Sequence, residues 1–445
     1  MKITKEIVER IEGEATLELE WHEGKIDFAK IKFFNFRGIE KILEKRPLYD
    51  ALAITPRVCG ICSHSHALAS LLAIEECFKN AGETLVISQK AKDIREIILN
   101  AEKIHNHIKW YFFTIQAELQ KLLKKQENVF KNPLWFEAQK AISECLKMGA
   151  IFSGQWPHGS FAMAGGVTCD PLKSDVMQAN NCLESVVSFC ETYLYGMPLE
   201  EFLSFNSALQ IMSSDKHLSK GVDTMIAFGF DRLGRSHDRF LALGESFLYD
   251  EPSKSVKTTV LGGDVKHVHE SLEHTFFEHP KKGYTYSKSA LYKKSYFEVG
   301  PMARLMIGKD ALIRDFHRRF KDSALTRVVA RIAECAHLLK RTQTLLLHVN
   351  LEEISFTPPR LNVHDLCSEG IGIIEAPRGT LIHKVVVQYG QIRSYDIITP
   401  TVWNLGNGDR DNPSVAQRAI IGIESLEQAD FVFKSFDVCS VCTTQ

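Results

Sequence analysis

The chain has 445 residues, 44% of them hydrophobic and 24% charged, with a formal net charge of −1. That balance fits a globular protein with a sizeable core and excludes a basic nucleic-acid surface or an acidic disordered tail. The charged opening Met1-Lys2-Ile3-Thr4-Lys5-Glu6 lacks the apolar stretch of a secretory signal, and no apolar run reaches the roughly 18–20 residues that span a bilayer. A cytoplasmic chain is expected, unless a partner with its own signal carries it to or across a membrane.

From the N-terminus, residues 15–36 read as a strand pair. Thr16, Leu17, Leu19 and Trp21 belong to the first strand, and Ile26, Phe28, Ile31, Phe33 and Phe34 to the second, around a turn at Glu23-Gly24. Helical patterns follow over about 62–80 and 89–125. In the second, Ile94, Ile97, Ile98, Ala101, Ile104, Ile108, Tyr111 and Phe112 recur at 3–4 spacing. Further helices are expected over about 134–152, 172–196 and 324–349. Residues 371–398 carry β-branched runs punctuated by Gly379 and Gly390, which predicts strands joined by tight turns. A last helix is expected over about 413–428. Helices this long pack as a bundle, so the expected fold is mainly α with small β-sheets (α+β), a long-helix core with peripheral strands, in one unit spanning 1–445.

There are 11 cysteines. The odd number and the missing signal argue against a disulfide scaffold. Cys77, Cys145 and Cys335 fall inside helical patterns and read as small buried hydrophobes. Two spaced pairs stand apart: Cys59/Cys62 in Arg57-Val58-Cys59-Gly60-Ile61-Cys62-Ser63-His64-Ser65-His66, and Cys439/Cys442 in Asp437-Val438-Cys439-Ser440-Val441-Cys442. Thiols three residues apart converge on one metal. Arg57 and the start of a helix both favour the thiolate. Four thiolates also suit structural zinc, but zinc knuckles lie close in sequence and staple core-poor modules, whereas most of this chain separates the pairs. No βαβ pattern supports a thioredoxin-like site. Spacing alone leaves zinc, nickel, iron and copper open.

The surrounding residues carry a resemblance. Arg57-x-Cys59-Gly60-x-Cys62-x-x-x-His66 and Asp437-x-Cys439-x-x-Cys442-x-x-Gln445 resemble the N- and C-terminal signatures of nickel–iron hydrogenase large subunits. Other segments resemble that family in the same order: Arg10-Ile11-Glu12-Gly13, Phe36-Arg37-Gly38-Ile39-Glu40, Pro157-His158 with Gly165-Gly166-Val167-Thr168, Gly300-Pro301-Met302-Ala303-Arg304, Glu375-Ala376-Pro377-Arg378-Gly379 and Pro400-Thr401-Val402-Trp403-Asn404. The resemblance implies reversible heterolytic cleavage of dihydrogen to protons and electrons, or a hydrogen-sensing role with slow turnover as the alternative. It implies that Cys59 and Cys439 are terminal nickel ligands, and that Cys62 and Cys442 bridge nickel to an iron carrying CO and two cyanides. The Pro377-Arg378 backbone and the Thr401 hydroxyl would bond the cyanides. His66 would bond a ligand sulfur, and Asp437 would hold Arg378. Cys439 or Arg378 would serve as base, with Glu12 as proton gate. Glu40, Ile397 and Gln445 would surround a magnesium ion.

The same resemblance implies a partner. This sequence has no spare ferredoxin-type cysteine cluster, so the iron–sulfur relay would lie on a small subunit. The assembly, a heterodimer or a dimer of heterodimers, would pass electrons to a further redox partner. Three residues depart from the family pattern: Gln445 stands for histidine, Val438 for proline, and Glu118 for an aspartate of the network around Arg378. The chain ends where a removable C-terminal extension would be cut, so a mature form or a form made without the extension is expected.

Overall fold

The computed structural model describes residues 2–124, 132–214, 217–249, 259–261 and 264–443. The expected strand pair is present as Ala15–His22 and Lys25–Lys32, paired antiparallel. Their turn places Glu23 at φ 47° and Gly24 at φ 80°. Both are left-handed, which is what a tight two-residue hairpin requires. A third strand, Lys2–Val8, extends the sheet at one edge. Its charged, mostly exposed residues hide it from a hydrophobic pattern.

The long helices run Ser63–Asn80, Gln89–Trp110, Pro133–Ser153, Lys173–Phe189 and Ala324–His348. Ser88 and Ser323 cap two of them, accepting from Ala91 N and Thr326 N. The single helix read over 89–125 is instead interrupted. A π-helical turn at Tyr111–Ile115 precedes a short continuation, Gln116–Leu122. A second π turn, Cys190–Tyr195, closes the Lys173–Phe189 helix. Apolar residues from Val8 to Val438 join in one continuous core.

A C-terminal sheet, Ser368–Ala376, Gly379–Gln388 and Gln391–Ile398, is a meander of two hairpins. The first turn holds only Pro377 and Arg378, because Ala376 pairs with Gly379. The second holds Tyr389 and Gly390, both left-handed at φ 51° and 71°. The first strand lies directly on the Ser63–Asn80 helix. A Cβ on Gly370 would stand 2.0 Å from Ala73 O, and one on Gly372 1.9 Å from Ala69 O. These two glycines let backbone meet backbone, so helix and sheet form one block that carries Cys62 and Arg378 at the same end.

The last helix read from the sequence is two helices, Val415–Ile420 and Leu426–Lys434. Between them Gly422 turns left-handed at φ 88°. Its N–H donates to Ile26 O at 2.7 Å, and Ile26 N donates to Ile423 O at 2.9 Å. Pairing with the N-terminal sheet therefore outcompetes the helix at this point.

Candidate metal centre

The first cysteine loop follows a 3-10 turn, Thr55–Val58. Cys59 is extended, and Cys62 is the cap residue of the Ser63–Asn80 helix. The free amides of that helix start are met by a buried carboxylate. Glu102 accepts from His64 N at 2.8 Å, Ser65 N at 3.0 Å and the Ser65 hydroxyl. Asn106, one turn on along the Gln89–Trp110 helix, donates to Ile61 O at 2.7 Å. Burial pushes the Glu102 carboxyl up to about 7, against these hydrogen bonds. Neither Glu102 nor Asn106 was among the expected site residues. Two polar groups one turn apart on an apolar stripe were their only sequence signal.

The second loop is held by the N-terminus. Glu12 N donates to Val438 O at 3.4 Å, and Ser440 N donates to Glu12 O at 2.8 Å. Gly13 is left-handed at φ 85°, and a Cβ there would lie 2.2 Å from Ser440 Oγ, so only glycine lets the segments close. Thr399 Oγ1 donates to Cys442 O at 2.9 Å. Asp437 itself is left-handed at φ 58°.

These contacts bring four buried sulfurs together across 380 positions of sequence. Cys59 Sγ lies 3.7 Å from Cys439 Sγ, Cys62 Sγ 3.7 Å from Cys442 Sγ, and Cys439 Sγ 3.0 Å from Cys442 Sγ. Burial opposes ionisation at Cys439, but hydrogen bonds from Cys442, Cys59 and Cys62 and the Arg378 charge hold it well below the usual thiol value. Cys62 is pushed well up by burial, and Cys442 by its bond to Cys439. One thiolate is thus favoured, and a metal is needed to ionise the rest.

Arg378 stands over the cluster. Its Nε donates to Asp437 O at 2.9 Å and its Nη2 to Asp437 Oδ1 at 3.1 Å. Burial disfavours its charge, yet Asp437 and the thiolates outweigh this and hold the guanidinium well above its ordinary value. The other oxygen of Asp437 accepts from Arg331 at 2.8 Å, a partner that no sequence motif marks. Glu118, expected near Arg378, instead accepts from Lys434 at 2.8 Å. Lys434 lies on a different helix, and its ammonium claims the longer carboxylate.

Cys62, Cys442, His66, Ala376, Pro377, Arg378, Leu381, Pro400 and Thr401 line one small pocket. Two buried donors in it, Arg378 Nη1 and Thr401 Oγ1, have no hydrogen-bond partner among the described residues. Buried polar groups are rarely left so. A closed zinc site would give these donors nothing to bind. An iron that carries polar diatomic ligands on the Cys62/Cys442 side would. The residues present therefore fit such a group.

A ring nitrogen of His66 comes within 4.8 Å of the Cys62 and Cys442 sulfurs. His66 Nδ1 meets His383 Nε2 at 3.0 Å, and burial lowers the His66 pKa to about 3, keeping it neutral. His64 and His105 pack edge-on against Phe161 and Trp156, and His107 bonds Glu334 at 2.8 Å, as core histidines. The main chain of Glu12 bridges to Cys439. Its carboxylate, about one-third exposed, pairs with Lys109. Glu40 accepts from Ile397 N at 2.8 Å, which brings those two together. Lys288 Nζ caps the same carboxylate at 2.9 and 3.0 Å. The third expected magnesium ligand, Gln445, lies outside the described residues. With Glu40 neutralised by an ammonium, the described residues as arranged do not fit a magnesium ion.

Comparison with known proteins bears on this geometry. A family model described as nickel-dependent hydrogenase matches residues 37–118 and 116–445. The chain is 24% identical to the periplasmic [NiFeSe] hydrogenase large subunit of Desulfomicrobium baculatum, over 95% of this chain and 90% of that protein. It is 22% identical to the hydrogenase-2 large chain of Escherichia coli K12, over 99% and 96%. It is 23% identical to the hydrogenase-1 large chain of the same organism, over 98% and 94%. The solved structure of the reduced Ni-Fe-Se hydrogenase from D. vulgaris Hildenborough matches with a TM-score of 0.83 at 22% identity, covering 100% of both chains.

Proposed function

We propose a division of labour among the site residues, starting from the fact that this chain belongs to the nickel-dependent hydrogenase family and is the catalytic large subunit of a nickel–iron hydrogenase. Its reaction is the interconversion of dihydrogen with protons and electrons. The family supports this reading rather than the hydrogen-sensing alternative.

Cys59, Cys62, Cys439 and Cys442 would hold nickel and iron, with the iron on the Cys62/Cys442 side and carrying CO and two cyanides. When bound, the metals supply the Lewis acidity that heterolytic cleavage needs. Cys439 Sγ, on the residue whose main chain bridges to Glu12, would accept the proton. Glu12 sits beside it in the same bridge and passes the proton toward the exposed side, where its carboxylate meets Lys109. Arg378 acts as a fixed cation rather than as a base, because Asp437 and the sulfurs hold its proton. Its free Nη1, with Thr401 Oγ1, binds the polar ligands of the iron and orients them. His66 would donate to a ligand sulfur, which as a metal-bound thiolate only accepts.

Electrons leave through a partner. Among the described residues the other grouping able to hold a metal is Glu273, His274 and Asp409, whose oxygens and imidazole do not suit an iron–sulfur cluster. An iron–sulfur small subunit would carry the relay, in a heterodimer or paired heterodimers. No helix among the described residues is long and apolar enough to cross a membrane.

The observation that carries this reading is the pair of unpartnered donors beside the Cys62/Cys442 sulfurs. Infrared spectroscopy with metal analysis on the purified complex tests it. CO and cyanide bands, with nickel present and iron in excess of what the small subunit's clusters hold, are expected. Zinc alone, without such bands, overturns it.

A further inference from the structure

We infer that Arg37 is a positioning residue that locks the two cysteine loops against each other and so retains the bound metals. This rests on the reading of the four sulfurs as the nickel–iron site. Arg37 Nη1 donates to Arg57 O at 2.9 Å, and Nη2 donates to Val58 O at 2.5 Å. The same Nη2 donates to Val441 O at 2.6 Å, 404 positions away. Val58 immediately precedes Cys59, and Val441 immediately precedes Cys442. One guanidinium therefore reaches the backbone beside a ligand in each loop.

The acceptors explain why the residue is an arginine. Arg57 and Val58 end the Thr55–Val58 turn, and the last carbonyls of a helical turn have no partner within it. Val441 lies in a second short turn, Ser440–Thr443. A planar fork with five donors serves several carbonyls from one fixed direction. The fork is aimed by its neighbours. Phe36 packs on Phe277 at 4.8 Å and stacks on Tyr286 at 5.7 Å, and Gly38 turns left-handed at φ 67°.

The other holds on the second loop act from a different side. Glu12, Thr399 and Arg378 bond residues 437–442, and their bonds among the described residues do not extend to the backbone of the first loop. The Arg37 bridge thus ties the backbone of one loop directly to that of the other. Its loss would loosen the Val441–Cys442 end of the second loop against Val58–Cys59.

The test compares the wild-type complex with Arg37→Met, by hydrogen exchange over residues 436–443 and by nickel loss to a chelator. Loss of charge-assisted bonds of this kind is worth about tenfold in a local opening equilibrium. Exchange in that segment and the rate of nickel loss should both rise about tenfold, with the exchange of the helical core unchanged. Arg37→Lys, which keeps the charge without the fork, should recover part of the protection. Wild-type protection and nickel retention in Arg37→Met overturn the inference. Should that variant fail to fold, full wild-type behaviour in Arg37→Lys does the same. A wild-type complex without nickel would instead sink the nickel–iron reading, so the two failures are distinguishable.

Discussion

At the scale of single residues, the proposed roles separate groups that hold charge from groups that move protons. Arg378 holds charge: its guanidinium is fixed by both the main chain and the carboxylate of Asp437. Lysine has the charge but not the fork, and cannot keep one nitrogen on Asp437 while aiming another into the pocket. Arg378→Lys should lower hydrogen oxidation on the order of 100-fold with nickel content unchanged. Equal activity would show that charge alone suffices. In the proposed route Glu12 moves protons: its main chain bridges to Cys439 and its carboxylate meets Lys109. Glutamine keeps the shape and cannot carry the proton. Glu12→Gln should slow hydrogen–deuterium exchange by roughly 100-fold at unchanged metal content, and an unaltered exchange rate would remove Glu12 from the route.

At the scale of elements, the centre depends on how closely a helix and a sheet approach. Gly370 and Gly372 are not left-handed; they are needed because any side chain would meet the carbonyls of Ala73 and Ala69. Overpacking of this kind costs about 1–3 kcal/mol. Gly372→Ala should therefore lower the thermal midpoint and weaken metal retention, because lifting the strand moves Arg378 relative to Cys62. A variant with wild-type stability and nickel content would mean that the backbone contact does not set the site. The strands themselves were legible from their β-branched runs and turn glycines. The glycines' contacts were not, since a pattern of residues along one strand does not say which helix lies under it. Likewise, the apolar stripe of the 89–125 segment was readable, but the π turn at Tyr111–Ile115 was not.

At the scale of the whole molecule, the cysteine pairs could be named from their tight spacing, and Arg378, Thr401 and Asp437 from short segments that resemble the family. The residues that hold them in place were harder to see. Glu102, Arg331, Lys109 and Lys288 each act on a group far away in sequence, and a charged residue in a helical stretch reads as surface until its partner is known. Glu118 illustrates the opposite error, since its placement depended on Lys434 rather than on any motif. The split of the last helix at Gly422 likewise followed from a strand at the other end of the chain.

The 380 positions between Cys59 and Cys439 also have a meaning in time. A ribosome working at about 5–20 residues per second needs roughly 20–80 s to cover that distance. Throughout that interval the nascent chain presents only two of its four sulfurs. Metal arriving before Cys439 is made would meet a half-built cradle.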